Sequence, residues 1–332
     1  MTDLHAMHPR LDIIIVNWNS GDQLQWCLNS ILMAEKDNLI LARVVVVDNA
    51  SKDSSADDLE DLILPLYIKR NTENLGFAAA CNQGAQGSNA DYLLFLNPDT
   101  CLFEDSLIKP LAFMEQKENM NIGILGIQLV DNNGQISRTC ARFPSPSYFF
   151  IKMLRLDHLF PDHFPSHFMT EWDHRESRDV DQVMGAFFLM RRSLFQILGG
   201  FDERFFVYFE DLDISYRAWK AGWRSVYLAN AQAYHKGGGT SWQIKDRRLF
   251  YTLMSRILYG YKHFAWRSAT MVALMTVFVE PITRLTWATM RLSGAEIMAT
   301  LKGYLMLWRS LPTIMAVAWR RRSDKNTPTE SL

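Results

Sequence analysis

Acidic residues mark two places in this sequence where chemistry is possible. The run Tyr92-Leu93-Leu94-Phe95-Leu96 ends abruptly in Asn97-Pro98-Asp99-Thr100. Leu93 to Leu96 shows no polar alternation, which predicts a strand buried on both faces. Pro98 has no N–H for the ladder and ends it. Asp99 is thereby held at the strand's C-terminal edge, where open α/β sheets place their ligands. A carboxylate fixed there suits a divalent cation carrying phosphates. The same residues also fit a plainer role, because Asp99 or Thr100 could cap a following helix. The second place is Glu210-Asp211-Leu212-Asp213, delivered by the aromatic run Phe205 to Phe209. It opens a helix whose buried face is expected to be Leu212, Tyr216 and Trp219. Asp213 and Arg217, four apart, can pair on that helix's surface. Asp211 faces another way, since two residues turn the helix by roughly 200°. A buried carboxylate among aromatics can serve as a general base, desolvation raising its pKa while the helix N-terminus lowers it. Helix capping by acids is the structural alternative. Further on, His235 precedes Lys236-Gly237-Gly238-Gly239, an imidazole beside backbone able to fold over a phosphate; a lone histidine is more often structural.

The elements that must position these residues alternate. Leu11 to Asn17 is β-branched and apolar, a buried strand, and Asn17-Trp18-Asn19-Ser20-Gly21 turns away from it. Leu24, Leu28, Ile31 and Leu32 recur at helical spacing after Ser20 or Asp22 as a cap. Val44 to Val47 is a second strand ending in Asp48, and the loop after it leads to a short helix through Leu59 and Leu62. Leu66 to Lys69 is a third strand, and Ala78 to Gly87 a helix of small residues. A helix over Leu102 to Lys117 and a strand over Ile122 to Val130 follow. Arg138 to Asp179 has no clean period and is read as a long functional loop. Val180 to Met190 returns to a strand-like run through Gly185-Ala186. Strand–helix alternation of this kind predicts a parallel nucleotide-binding sheet. With neither GxGxxG after the first strand nor GxxxxGK[ST] anywhere, dinucleotide and P-loop sites are disfavoured.

The chain of 332 residues is 48% hydrophobic and 21% charged, with a net charge of −1, which argues against a nucleic-acid binder. From Thr240 onward there are fourteen Lys/Arg against five Asp/Glu, so the tail is strongly basic and the rest acidic. Four scattered cysteines fit a reducing cytosol and offer no zinc spacing. Met1 to Arg10 lacks the apolar core of a signal peptide, so a cytoplasmic site is expected.

Together these stretches resemble family 2 glycosyltransferases of the GT-A fold, in particular the bacterial rhamnosyltransferase branch, from about Asp12 to about His263. The motifs are Ile15-Val16-Asn17-Trp18-Asn19, Val47-Asp48-Asn49-Ala50-Ser51, Asn74-Leu75-Gly76-Phe77-Ala78 with Asn82, Asn97-Pro98-Asp99, Gly200-Phe201-Asp202-Glu203 with Glu210-Asp211-Leu212-Asp213, and His235 with its glycines. The resemblance implies an α/β GT-A fold, mixed but mostly parallel, over 1–240 and a helical extension over 241–332. It implies inverting transfer of a deoxyhexose, L-rhamnose from dTDP-rhamnose, to a lipid-linked bacterial polysaccharide. Asp211 would be the base and Asp48 would meet the pyrimidine. Asn17, Asn19, Asn74, Phe77, Asn82, Asn97 and Glu210 would serve the donor and substrate pocket. Asp99 and His235 would hold Mg²⁺ or Mn²⁺ across the diphosphate. Asn97 departs from the family's DxD motif, so the cation would rely more on phosphate oxygens and water. The competing readings are a transferase using another nucleotide-sugar, a nucleotidyltransferase, and a non-catalytic nucleotide-sugar-binding partner.

The basic tail keeps helical spacing through Leu253, Ile257 and Tyr261. Ala269 to Val279 is apolar but stops at Glu280-Pro281, too short to span a bilayer. Trp266, Trp287, Trp308 and Trp319, interleaved with arginines, fit interfacial helices on an anionic inner-membrane surface. An ordinary packing subdomain or a contact with a second copy is the alternative.

Overall fold

The computed structural model describes residues 8–57, 59, 62–164, 166–237 and 245–325, the side chains of 320–325 excepted. The helix expected through Leu59 and Leu62 falls partly, and the glycine turn after Gly237 wholly, outside the described residues. In chain order the first half holds β1 (Arg10–Asn17), α1 (Gln23–Met33), β2 (Ile40–Asp48), β3 (Leu66–Arg70), α2 (Phe77–Ala85) and β4 (Tyr92–Leu96). Next come β5 (Thr100–Leu102), α3 (Ile108–Met114), β6 (Ile122–Val130), β7 (Cys140–Ala141), α4 (Pro146–Met153) and α5 (Leu156–Leu159). Then follow β8 (Arg178–Val180), β9 (Gln182–Val183), β10 (Phe187–Arg191), α6 (Arg192–Ile197), α7 (Glu210–Lys220) and β11 (Arg224–His235). The chain ends with α8 (Lys245–His263), α9 (Trp266–Leu274), α10 (Glu280–Met290) and α11 (Gly294–Lys325).

Two compact units result: Met1–Phe143, Phe168–Glu203 and Glu210–Thr240 form the first, and Pro144–His167, Arg204–Phe209 and Ser241–Leu332 the second. The first unit is a mixed sheet in the order β3-β2-β1-β4-β10-β6-β11-β5, with β8 added beside β11. β3, β2, β1 and β4 run parallel, β10 runs antiparallel between β4 and β6, and β6 and β11 are parallel. The apolar runs of β1, β2 and β4 are buried on both faces because side chains alternate across the sheet. Ile13, Ile15, Val44, Val46 and Leu94 pack on one side with Leu24, Cys27 and Leu28 of α1. Ile14, Val45, Val47, Leu93 and Phe95 pack on the other with Ala78 and Ala80 of α2 and Ile214 of α7. The small residues of α2 allow that close approach: a Cβ on Gly84 would lie 2.4 Å from Ile14 Cγ2.

Several sequence expectations need correction. The stretch after Asp99 is a strand, not a helix: Thr100–Leu102 pairs antiparallel with Ala233–His235, and only Ile108–Met114 becomes helical. Asp99 and Thr100 therefore cap nothing. Neither proposed cap of α1 acts as one, because Asp22 makes no capping hydrogen bond and Ser20 Oγ donates to Asn17 Oδ1. Arg138 to Asp179 carries β7, α4, α5 and β8 rather than a structureless loop. The run through Gly185-Ala186 is broken there into β9 and β10. On α7 the buried side is Leu212, Asp213, Ile214, Ser215 and Ala218, while Trp219 is 57% exposed.

The second unit is helical. α9, a π-helical turn over Met275–Val279, and α10 run on as one helix, Trp266–Met290. The apolar stretch thus does not stop at Glu280-Pro281, and by length and composition alone this helix could cross a membrane, though less than half of its apolar window is buried. Pro281 lacks the N–H that would bond Val277 O four residues back. Trp308 Nε1 of α11 donates to that carbonyl instead, at 3.2 Å, which satisfies the orphan acceptor and lets the helix continue. Inside the unit, Glu280 is buried between Arg256, which donates to its Oε2, and Arg284 Nε, 2.9 Å from Oε1. Burial pushes the Glu280 carboxyl up, but the two guanidiniums outweigh it and its pKa is lowered.

Candidate active site

β1 and β2 end level with each other, Asn17 opposite Asp48. Asn17 is fully buried and its Nδ2 donates to Asp48 Oδ1 (2.8 Å), Ser55 Oγ (2.9 Å) and Ser51 Oγ (3.1 Å). Its amide is thus occupied within the protein, so Asn17 holds the Asp48 carboxylate instead of facing a ligand. Asn19, at φ +50°, latches the same two loops: its N–H donates to Ser51 Oγ (2.9 Å) and its Oδ1 accepts from Lys52 N (2.6 Å). Asn74 Oδ1 accepts from Asn49 Nδ2 and from Gly76 N, both at 2.9 Å. Gly76 sits at φ +88°, where only glycine is relaxed, and turns the chain into α2. Phe77, the first residue of α2, is half-buried and packed on the core rather than fully presented.

Asn82 stands elsewhere than expected. Its Nδ2 donates to Phe201 O and Glu203 Oε1 and its Oδ1 accepts from Phe201 N, all at 2.9 Å. The side chain thus clamps the Gly200–Glu203 loop onto α2, with both N–H groups of its amide used within the protein. Gly200, at φ +74°, makes room for it, since a Cβ there would come within 2.6 Å of Asn82 Oδ1.

Asp99 and His235 are brought together. β11 is bent by a register shift between Leu228 and Gln232, as a bulge bends a strand. Its last residues then pair with β5, His235 opposite Thr100. His235 Nε2 lies 3.2 Å from Asp99 Oδ1, with both side chains largely buried. Among the described residues no group of three or more His, Cys, Asp or Glu side chains could hold a metal ion. One carboxylate oxygen and one imidazole nitrogen fit Mg²⁺ or Mn²⁺ only if most of the coordination comes from outside the protein, as diphosphate oxygens and water provide.

The acids of α7 divide by role. Asp213 is fully buried and binds Arg217 Nε at 2.8 Å, while Arg217 also donates to Leu198 O (2.7 Å) and Gly200 O (2.8 Å). The pair expected on the helix surface is an internal brace. Asp211 is partly exposed; its Oδ2 accepts from Gly185 N at 3.1 Å and its Oδ1 from Leu212 N at 2.8 Å. Desolvation raises its pKa, and bonds from Leu212, Gly185 and Gln182 offset part of that rise. Gly185 is followed by Ala186, whose carbonyl accepts from Asn97 N at 3.0 Å. The break in the strand at Gly185-Ala186 therefore ties Asp211 to the Asn97-Pro98-Asp99 turn. Glu210 is only 7% exposed and its Oε2 has no hydrogen-bond partner among the described residues. Burial first, and the Asp211 charge second, push the Glu210 carboxyl well up. The two residues before it, Tyr208 and Phe209, sit at φ +67° and +71°, a left-handed conformation that bulky side chains adopt only under constraint.

Sequence reasoning missed Asn49 and Asn71 as a network. Asn49 Oδ1 accepts from Leu75 N (3.0 Å) and Asn71 Nδ2 (3.1 Å), and Asn71 Nδ2 also reaches Gln83 Oε1 at 2.9 Å. Asn49 directly follows Asp48 in the stretch Val47 to Ser51, and that adjacency was the available signal.

A mixed sheet of this order, with carboxylates at its C-terminal strand ends, has the architecture of the GT-A fold. The profile of Glycosyl transferase family 2 matches residues 12–199. The chain is 27% identical over 237 residues, 68% of its length and 75% of the relative's, to the N-acetylglucosaminyl-diphospho-decaprenol L-rhamnosyltransferase of Mycobacterium tuberculosis. It is 30% identical over 146 residues, 44% of this chain and 52% of the other, to the rhamnosyltransferase WbbL of Escherichia coli. Its fold is shared with the mannosyltransferase PcManGT of Pyrobaculum calidifontis, solved with GDP-Man and Mn²⁺ (TM-score 0.51, 17% identity, 96% of this chain and 88% of that one). The chain belongs to glycosyl transferase family 2. Within it the chain is a hexosyltransferase of the rhamnosyltransferase-like branch.

Proposed function

We propose that the enzyme moves L-rhamnose from dTDP-rhamnose to a hydroxyl of a lipid-linked saccharide, inverting the anomeric carbon, at the inner face of the cell membrane. The relatives' names support this choice of sugar and acceptor. The observation that carries it is the tie between the two acidic clusters through Gly185 and Ala186. Gly185 bonds the Asp211 carboxylate and Ala186 bonds the Asn97 backbone.

Asp48, held by Asn17, accepts from the pyrimidine of the donor, and the Asn19, Asn49 and Asn74 lattice fixes the loops around it. Asp99 and His235 would hold Mg²⁺ or Mn²⁺, which when bound supplies positive charge to the leaving diphosphate. Asp211 takes the proton from the acceptor hydroxyl as its oxygen bonds to the anomeric carbon. The bond from that carbon to the phosphate oxygen breaks and dTDP leaves. Asp211 is suited to this because desolvation raises its pKa and two backbone N–H groups fix its orientation.

The test is donor hydrolysis and transfer across a panel of nucleotide-sugars with and without Mn²⁺, together with Asp99→Ala. Turnover should be highest with dTDP-rhamnose and fall about a hundredfold or more in the variant. Mn²⁺ binding followed by electron paramagnetic resonance should be weak until nucleotide is added. Preference for another donor would replace the sugar but keep the class; near-wild-type turnover of Asp99→Ala would remove the metal role.

A further inference from the structure

An ordinary surface helix turns its charges to water and its apolar residues inward. The Trp266–Met290 helix buries Ala269, Val272, Val277 and Ala288 in that way but leaves a second apolar stripe in the open. Its inner side carries Glu280, ion-paired with Arg256 and Arg284, and packs on α8 and α11. Its outward residues, at steps of three or four, are Met271, Leu274, Phe278 and Ile282, the last two 63% and 64% exposed. No charge interrupts that stripe. α11 repeats the pattern with Met298, Leu301, Leu305 and Trp308 exposed at steps of three or four. The bond from Trp308 Nε1 to Val277 O places the two stripes side by side, next to Phe278. Contiguous apolar surface of this kind marks a contact with a partner or a membrane.

Charge selects the occupant. The residues flanking the stripes are Arg267, Arg291, Lys302 and Arg309, and Glu296, the acid among them, lies 3.9 Å from Arg291. An apolar strip with a basic border and tryptophans on it matches an anionic lipid surface, whose interior takes the apolar side chains while its headgroups meet the cations. A spanning arrangement is disfavoured because it would carry Glu280 with Arg256 and Arg284 to membrane depth, where charged groups are costly.

We propose that the paired outward faces of the Trp266–Met290 helix and α11 lie in the plane of an anionic monolayer, with Phe278 and Ile282 inserted below the headgroups. The proposal names the surface that a lipid-linked acceptor requires and rests on the transfer reading for its purpose alone.

Full-length protein is floated with vesicles of phosphatidylcholine, with or without phosphatidylglycerol. Binding should need phosphatidylglycerol and be released by alkaline carbonate. The double replacement Phe278→Ser with Ile282→Ser should weaken binding about tenfold or more, since burial of such side chains carries the insertion. Lys302→Gln with Arg309→Gln, at exposed positions that the fold does not need, should weaken it about tenfold by loss of headgroup attraction. Donor hydrolysis in buffer should be unchanged in both. No binding by the wild type, equal binding by the variants, or resistance to carbonate would overturn the proposal. So would a dimer that the Phe278 and Ile282 replacements dissolve without changing vesicle binding, which would give this face to a second copy. Loss of all donor hydrolysis with vesicle behaviour as expected would sink the transfer reading and leave the surface standing.

Discussion

Two neighbouring carboxylates on α7 face different surroundings, and pH separates them. As the proposed base, Asp211 must be ionised to accept a proton, and desolvation raises its pKa. Turnover should therefore decline as pH falls through a value above the usual carboxylate range. In Asp211→Asn that acidic limb should vanish while the rate drops about 10²- to 10⁴-fold, as a pH–rate profile would show. Burial of Glu210 has a consequence for stability that depends on pH. Its folded pKa is raised, so its favourable contribution is full in acid and is lost as pH rises through that folded value. Glu210→Gln removes the titration. Its melting temperature should exceed that of the wild type at and above neutral pH, with the gap closing in acid. The acids themselves were legible from the sequence, because Asn-Pro-Asp and Glu-Asp-Leu-Asp stand out against apolar runs. Their assignments were not: Asn82 and Phe201 meet across 119 positions, and no local spacing shows that an asparagine is consumed by a distant backbone.

At the scale of elements, the strands were the readable part, since β1, β2, β4 and β6 are continuous apolar runs that little else can form. α3 was overextended because Leu102, Ile108 and Leu111 suit either period, and pairing of β5 with β11 decides in favour of a strand. The region after Arg138 stayed opaque because α4 is held by contacts remote in sequence, such as Thr283 Oγ1 donating to Met153 O at 2.7 Å. Pro281 looked like an end for the same reason: its compensation comes from Trp308 on another helix. The helical unit encloses the charge cluster of Arg256, Glu280 and Arg284. Glu280→Ala leaves Arg256, 5% exposed, without its counter-ion, and should cost about 3–5 kcal/mol by chemical unfolding. Replacing Arg256 and Glu280 together by Met and Leu should cost far less.

Over the whole molecule the charge is nearly balanced but divided, acidic through the sheet and basic beyond Thr240. Vesicle binding should consequently fall as salt rises, while donor hydrolysis in buffer changes little. The sheet has an analogous division along the chain. β1 to β4 are contiguous in sequence and parallel, whereas β10 must insert between β4 and β6, and β11 must bend back to β5. Pairings of such long separation form late, and synthesis proceeds from the N-terminus. A chain emerging from the ribosome can complete the Asn17–Asp48 side while Asp99 still waits for His235. On the proposed reading, the side of the pocket assigned to the nucleotide would be in place before the Asp99–His235 pair, which only the docking of the last strand completes.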